Sequence, residues 1–183
     1  MNEKTSIKLP IDPQLMLRKK ASLKKSLLIK TIFLIKKMAI VGGSTTSEIK
    51  NILEIFLLES DIKPIFYEGE YNKYYEELMF PNSALKTFNP DIVFIHTTEL
   101  NIKNYPLLTD TPEIVNQKID DEFNHFKSIW ENIKQTYNCI IIQNNFELPF
   151  SRPLGNIDCS TLNGKTNYIN LLNKKIATYS RNN

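Results

Sequence analysis

The residues best placed to do chemistry sit in one turn. Met38-Ala39-Ile40-Val41 is an apolar run that stops at Gly42-Gly43, and Ser44, Thr45, Thr46 and Ser47 follow before Glu48. A strand, a tight turn and a helix N-terminus within so few residues aim backbone N–H groups and a hydroxyl at one point. Ser44 is the first candidate, as a ligand contact or as a nucleophile. A nucleophilic serine needs a base within hydrogen-bond reach and N–H donors for an oxyanion. The same turn has a purely structural reading. Thr45 and Glu48 have the spacing of a capping box, which would spend hydroxyls on the end of a helix.

Two histidines are available as the base. His96 ends an apolar run and is a plausible base or hydrogen-bond donor. His125 falls one residue off the apolar stripe of a long helix and reads as a surface residue. Further polar candidates follow the other apolar runs. Gly69 and Asn72 come after the second, and Asn144, Asn145 and Glu147 after the fourth. Asparagines in such places also simply make turns. Arg152 could pair with a phosphate or carboxylate. No glycine-rich phosphate loop, zinc spacing or paired acidic metal motif is present.

The elements that position these residues can be read from periodicity. Pro10 and Pro13 break any early helix, and a leucine- and lysine-rich helix is predicted over 14–28. A buried strand over 38–41 leads to an amphipathic helix over 47–59. A second strand over 62–67 is followed by short helices near 73–79 and 84–88, with Pro81-Asn82 punctuating between them. A third strand spans 92–96. Thr111-Pro112-Glu113 starts a long helix, with a capping hydroxyl, proline at the first helical position and an early acid. Val115, Ile119, Phe123, Phe126, Trp130, Ile133 and Tyr137 then recur at intervals of four or three. A fourth buried strand is predicted over 139–142 and a last helix over 166–179.

Short apolar strands alternating with helices predict an α/β fold, a parallel sheet with helices on both faces. In such sheets ligands sit outside the carboxyl ends of the strands. Gly43 and Ser44 after the first strand, Glu68 to Asn72 after the second, His96 to Asn101 after the third, and Asn144 to Glu147 after the fourth all fall on that one rim. Arg152 follows in the next loop.

The totals are those of an ordinary globular chain: 183 residues, 42% hydrophobic and 23% charged. One α/β domain over 38–183 is expected, preceded by a basic helical extension over 1–37. Eight basic residues and no acid lie between Pro13 and Ser47, leaving 15 basic residues against 20 acids elsewhere. A basic element on an acidic body docks either to something anionic or to the body itself. Cys139 and Cys159 make neither a metal spacing nor a disulfide framework, as expected of a reducing cytoplasm. Leu27 to Ile35 is too short to span a bilayer and contains Lys30.

Several blocks resemble one family. MAIVGGSTTSEIK at Met38 to Lys50, FYEGEYNKYY at Phe66 to Tyr75, DIVFIHTT at Asp91 to Thr98, FKSIW at Phe126 to Trp130 and IQNNFEL at Ile142 to Leu148 look like the N-terminal domain of FkbH-like proteins. The resemblance implies a three-layer α/β/α sandwich, flavodoxin-like and similar to SGNH hydrolases. It implies a haloacid-dehalogenase-type phosphatase domain, in the same chain or a separate one, which would hold any Mg2+. It implies enzymes that load a glyceryl-derived unit from a phosphorylated donor onto an acyl carrier protein, in polyketide or surface-polysaccharide biosynthesis. A carrier protein is then the expected partner, and neither nucleic acid nor a membrane span is expected. No cofactor is expected in this chain.

The chain departs from that pattern. The phosphatase Asp-x-Asp-x-Thr motif is absent, and Gly43 stands where the SGNH motif has aspartate before its serine. Asn72 or Asn101 matches the oxyanion asparagine only loosely. No histidine follows His125, so the late Asp-x-x-His pair has no match. A binding role for Ser44, an esterase or acyltransferase using Ser44 with His96, and a structural docking module all remain open.

Overall fold

The computed structural model describes residues 12–80 and 83–182. Pro10 and the Pro81-Asn82 break lie outside the described residues. The elements are α1 (Pro13–Leu27), β1 (Leu34–Gly42), α2 (Ser47–Glu59), β2 (Ile62–Glu68), α3 (Tyr74–Met79), α4 (Ser83–Phe88), β3 (Ile92–His96), α5 (Pro112–Tyr137), β4 (Ile140–Gln143) and α6 (Lys165–Ser180). The four strands form one sheet in the order β2-β1-β3-β4, with every pair parallel. Helices lie against both faces, so the fold is the expected three-layer α/β/α sandwich.

Alternation along the strands sorts side chains between the two layers. Ala39, Val41, Val93 and Ile95 point into the larger core, where Phe126, Ile129, Ile133, Tyr168, Ile169 and Leu172 of α5 and α6 meet them. α5 begins as its sequence requires: Thr111 Oγ1 accepts the N–H of Ile114, and Pro112 takes the first turn. Asn138 ends it in the left-handed region at φ 47°, a conformation asparagine tolerates.

The second core is smaller and belongs to α1 and α2. Met16 and Leu27 pack with Ile55 and Leu58. Leu17 and Leu28 stay exposed, so a methionine takes one of the places expected of the leucines. The basic residues resolve toward the body: Lys20 pairs with Glu48 at 2.7 Å, Lys24 with Glu54 at 2.7 Å and Lys30 with Asp61 at 2.8 Å. Such exposed pairs contribute roughly 0–1 kcal/mol each, so apolar burial holds the helix and the pairs set its register.

Three expectations need correction. β1 begins at Leu34, not residue 38, because Lys36 and Lys37 interrupt the apolar run without interrupting the ladder; residues 34–37 pair with β2 alone. β4 is not buried: Ile140 and Ile142 are 64% and 46% exposed on the sheet's outer edge. Cys139 is accordingly half-buried and precedes the strand rather than lying within it. His125 is no surface residue. It is half-buried, stacked on Tyr75 at 4.8 Å between centroids and edge-on to Phe126 at 5.1 Å.

Two predictions follow from this packing. Leu27→Ala should cost about 2–5 kcal/mol in urea unfolding, because Leu27 is buried against α2, whereas Lys20→Gln should cost under about 1 kcal/mol. His125 has a buried Nε2 with no hydrogen-bond partner among the described residues. Burial, helped by Lys103, holds its pKa below the usual imidazole range. Its neutral form is therefore the folded form. The stability it contributes is complete above about pH 6.5 and is lost as pH falls through the lowered folded pKa. Urea midpoints measured downward from neutral pH should decline in the native chain and decline less in His125→Phe.

Candidate functional site

The site is built on the carboxyl ends of the strands. Gly42 is register partner to His96 across the β1–β3 ladder, and the next N–H, that of Gly43, donates to His96 O at 2.9 Å. The chain after β2 closes on the same point: Gly69 N–H donates to Ile40 O at 2.8 Å and Asn72 N–H to Gly42 O at 3.1 Å. Asn72 makes this turn at φ 57°, in the left-handed region that asparagine tolerates. Gly42 and Gly43, just before Ser44, are thus tied by backbone bonds to β3 and to the loop after β2.

Asn101 completes the arrangement. Its Oδ1 accepts the Thr98 N–H at 2.8 Å, and its Nδ2 donates to Gly43 O at 3.3 Å and to Asn72 Oδ1 at 3.4 Å. A Cβ at residue 43 would fall inside this side-chain amide. Glycine at 43 is therefore required by close approach, and the aspartate of the SGNH motif has no room there. One asparagine joins the loops after β1, β2 and β3.

Two more amides do similar work. Asn144 holds both backbone groups of Thr97: its Oδ1 accepts the N–H at 3.1 Å and its Nδ2 donates to the carbonyl at 2.7 Å. Asn173 of α6 does the same to Phe146, at 2.9 and 2.8 Å. Each side chain substitutes for a strand neighbour and satisfies backbone groups at the end of the sheet. Glu147 accepts the Glu99 N–H at 3.3 Å. Asn145 is exposed and offers its carbonyl to Asn144.

The capping box does not form. Thr46, not Thr45, is the N-cap of α2, and no side-chain bond caps it. Thr46 and Ser47 donate instead to Glu68 Oε1, at 3.0 and 2.9 Å, and Lys50 pairs with Glu68 Oε2. Glu48 is taken by Lys20. The Lys50 ammonium bonded to Glu68 holds its carboxyl below the usual range, with the hydroxyls of Ser47 and Thr46 adding to this against partial burial. Glu77, buried on α3, accepts from the Glu70 N–H at 2.6 Å and from Tyr67 Oη at 3.0 Å, which pins the loop after β2.

A cavity of about 200 Å³ opens between these loops, lined by Gly42, Ser44 to Ser47, and Glu68 to Tyr71. Of the predicted residues, Ser44 and Gly69 line it, and Gly43 and Asn72 adjoin it. His96 does not line it. Its ring lies on the Phe94 side of the sheet, 6.1 Å from that ring. Asn144, Asn145 and Glu147 shape the neighbouring loops. Arg152 is exposed and gives its carbonyl to the Gly155 N–H at 2.9 Å. Sequence reasoning placed Glu68 on the rim, as an acid at the end of an apolar strand, and missed Glu77 and Asn173 as its builders. For Asn173, in the middle of a helix, no signal existed.

Comparison with known proteins agrees on the fold. No protein-family model matches the chain, and no curated relative does. A solved structure matches with a TM-score of 0.69 over 88% of this chain at 18% identity. It is the N-terminal part of the protein BF1531 from Bacteroides fragilis, containing a phosphatase domain complexed with Mg. The match covers 42% of that chain, so this chain spans less than half its length. At that identity the likeness establishes the fold, an α/β/α unit of the kind found in a phosphatase-containing protein. Among the described residues no group of His, Cys, Asp and Glu could hold a metal ion, and no helix is long and apolar enough to cross a membrane.

Gly43→Ala should force Asn101 out of place. The expected result is a loss of about 1–3 kcal/mol in urea unfolding and, in NMR spectra, displaced amide signals for Thr98, Asn72 and Ser44. Asn145→Ala, which loosens none of these ties, should leave both unchanged.

Proposed function

We propose that this chain is the binding unit of an FkbH-like system, with Ser44 at the centre of its site and an acyl carrier protein, or the pantetheine arm it carries, as partner. The observation that carries the reading is the cavity at the strand ends, which presents Ser44 and no histidine among its lining residues. With no histidine on the cavity wall, we read the serine hydroxyl as a ligand contact rather than an attacking group. The rest comes from the resemblance. A phosphatase unit, in the same polypeptide or another, would remove phosphate from a glyceryl donor with its own Mg2+. The described residues of this chain supply no ligand set for that ion. The role of this unit is to receive and position the carrier-bound group.

In a system reconstituted with the phosphatase unit, Ser44→Ala should weaken carrier binding by up to about tenfold, the loss of one hydrogen bond, with the fold unchanged by circular dichroism. Equal binding and loading in the variant would overturn the assignment. A fluorophosphonate probe should leave Ser44 unlabelled. Labelling that disappears in His96→Ala would instead support a serine esterase or acyltransferase.

A further inference from the structure

We infer that the outward face of α1, continued by the link to β1, is a docking surface for an anionic lipid membrane. The eight cations of the acid-free stretch between Pro13 and Ser47 divide by direction. Lys20, Lys24 and Lys30 fasten α1 and its end to acids of α2 and of the turn after it. Lys36 reaches Asp91, and Lys37 donates to Phe88 O. That leaves Arg18, Lys19 and Lys25. All three are exposed, and their side chains have no ion-pair or hydrogen-bond partner among the described residues.

Helical period places these cations away from the body. Met16, Leu23 and Leu27 turn inward, against Ile55 and Leu58. At 3.6 residues per turn, Arg18 and Lys25 fall on the opposite side, with Lys19 on one flank. Leu17 and Leu28 lie along the other flank, 52% and 40% exposed. Leu28 N–H still donates to Lys24 O at 3.1 Å, so the helical geometry reaches it. Ile29 and Ile32 continue the surface in the link to β1, at 77% and 84% exposed. The face therefore combines unpaired cations with protruding aliphatic side chains, and its own segment contributes no acid.

The charge selects an anionic occupant, and the aliphatic side chains select among anions. Nucleic acid meets cations and polar groups at its phosphates and gives the isoleucines nothing to enter. An acidic protein would need a groove cut to fit a convex helix face. A lipid surface takes protruding aliphatic side chains wherever they fall, while the cations meet its headgroups. The apolar stems of arginine and lysine let both contacts form at one depth.

Sedimentation of the full chain with lipid vesicles tests this. The chain should bind vesicles of phosphatidylcholine with one third phosphatidylserine, should leave pure phosphatidylcholine vesicles nearly unbound, and should bind less as salt is raised. Arg18→Gln combined with Lys25→Gln should weaken the binding at least about tenfold, as should Ile29→Ser combined with Ile32→Ser. All four side chains are exposed, so the urea midpoints should hold. Lys86→Gln combined with Lys174→Gln removes the same charge from exposed positions on α4 and α6 and should change binding little. Three results would overturn the inference: no sedimentation with the phosphatidylserine vesicles, equal binding to phosphatidylcholine alone, or a loss in the Lys86 and Lys174 variant as large as in the Arg18 and Lys25 variant. Binding of polyglutamate through Arg18 and Lys25, with the vesicles left unbound, would overturn it too and assign the surface to an acidic protein.

Discussion

A Cβ at residue 43 would collide with the Asn101 side-chain amide, so any larger residue there must drive that amide out of place. Much of the rim depends on that approach. With Gly43 seated against it, one amide reaches the carbonyl of the first loop, the side chain of the second and the N–H of the third. A larger residue at 43 would separate three loops at once. The turn carrying Ser44 is therefore set by a contact fifty-eight residues away in sequence, and the strand–turn–helix pattern only makes it possible.

The same device recurs around the end of the sheet. Strands stop pairing where their loops begin, and the N–H and C=O groups just beyond have no ladder to join. Asn144 supplies both missing partners to Thr97 and Asn173 supplies both to Phe146. Glu77 does half of this for Glu70. These bonds hold the loops as if the strands ran further. The consequence is a preorganised rim, one that needs little ordering when a ligand arrives.

Local pattern made much of this legible, and its failures share a cause. The stripe of α5 could be read because every member faces one core, from Val115 to Tyr137. The amino end of β1 could not, since Lys36 and Lys37 read as a break although the ladder with β2 passes through them. β4 has the composition of a buried strand and lies at an edge, because a run of isoleucines does not record whether a neighbour is present. Thr45 and Glu48 had capping-box spacing. Glu68, far along the chain, took the hydroxyls of Thr46 and Ser47, and Lys20 took Glu48. Tertiary partners outbid local ones at each of these places. The Ser44 turn itself was visible, whereas the position of His96 on the Phe94 face depends on strand register, which sequence reasoning left undetermined.

The loss of the capping box changes what the turn offers. With Thr46 and Ser47 bound to Glu68, the first N–H groups of α2 have no side-chain cap, and these are donors at the positive end of a thirteen-residue helix. Glu68 lies close by, but Lys50 neutralises it, so the carboxylate does not cancel that field. Ser44 therefore stands between an open helix end and a compensated ion pair, in a cavity whose walls are mostly hydroxyls and backbone. Such surroundings offer donors to an acceptor, whether it is carried by a ligand or is an oxyanion that develops there. That opening comes from Glu68 and Lys20, which draw off the side chains that would have capped the helix.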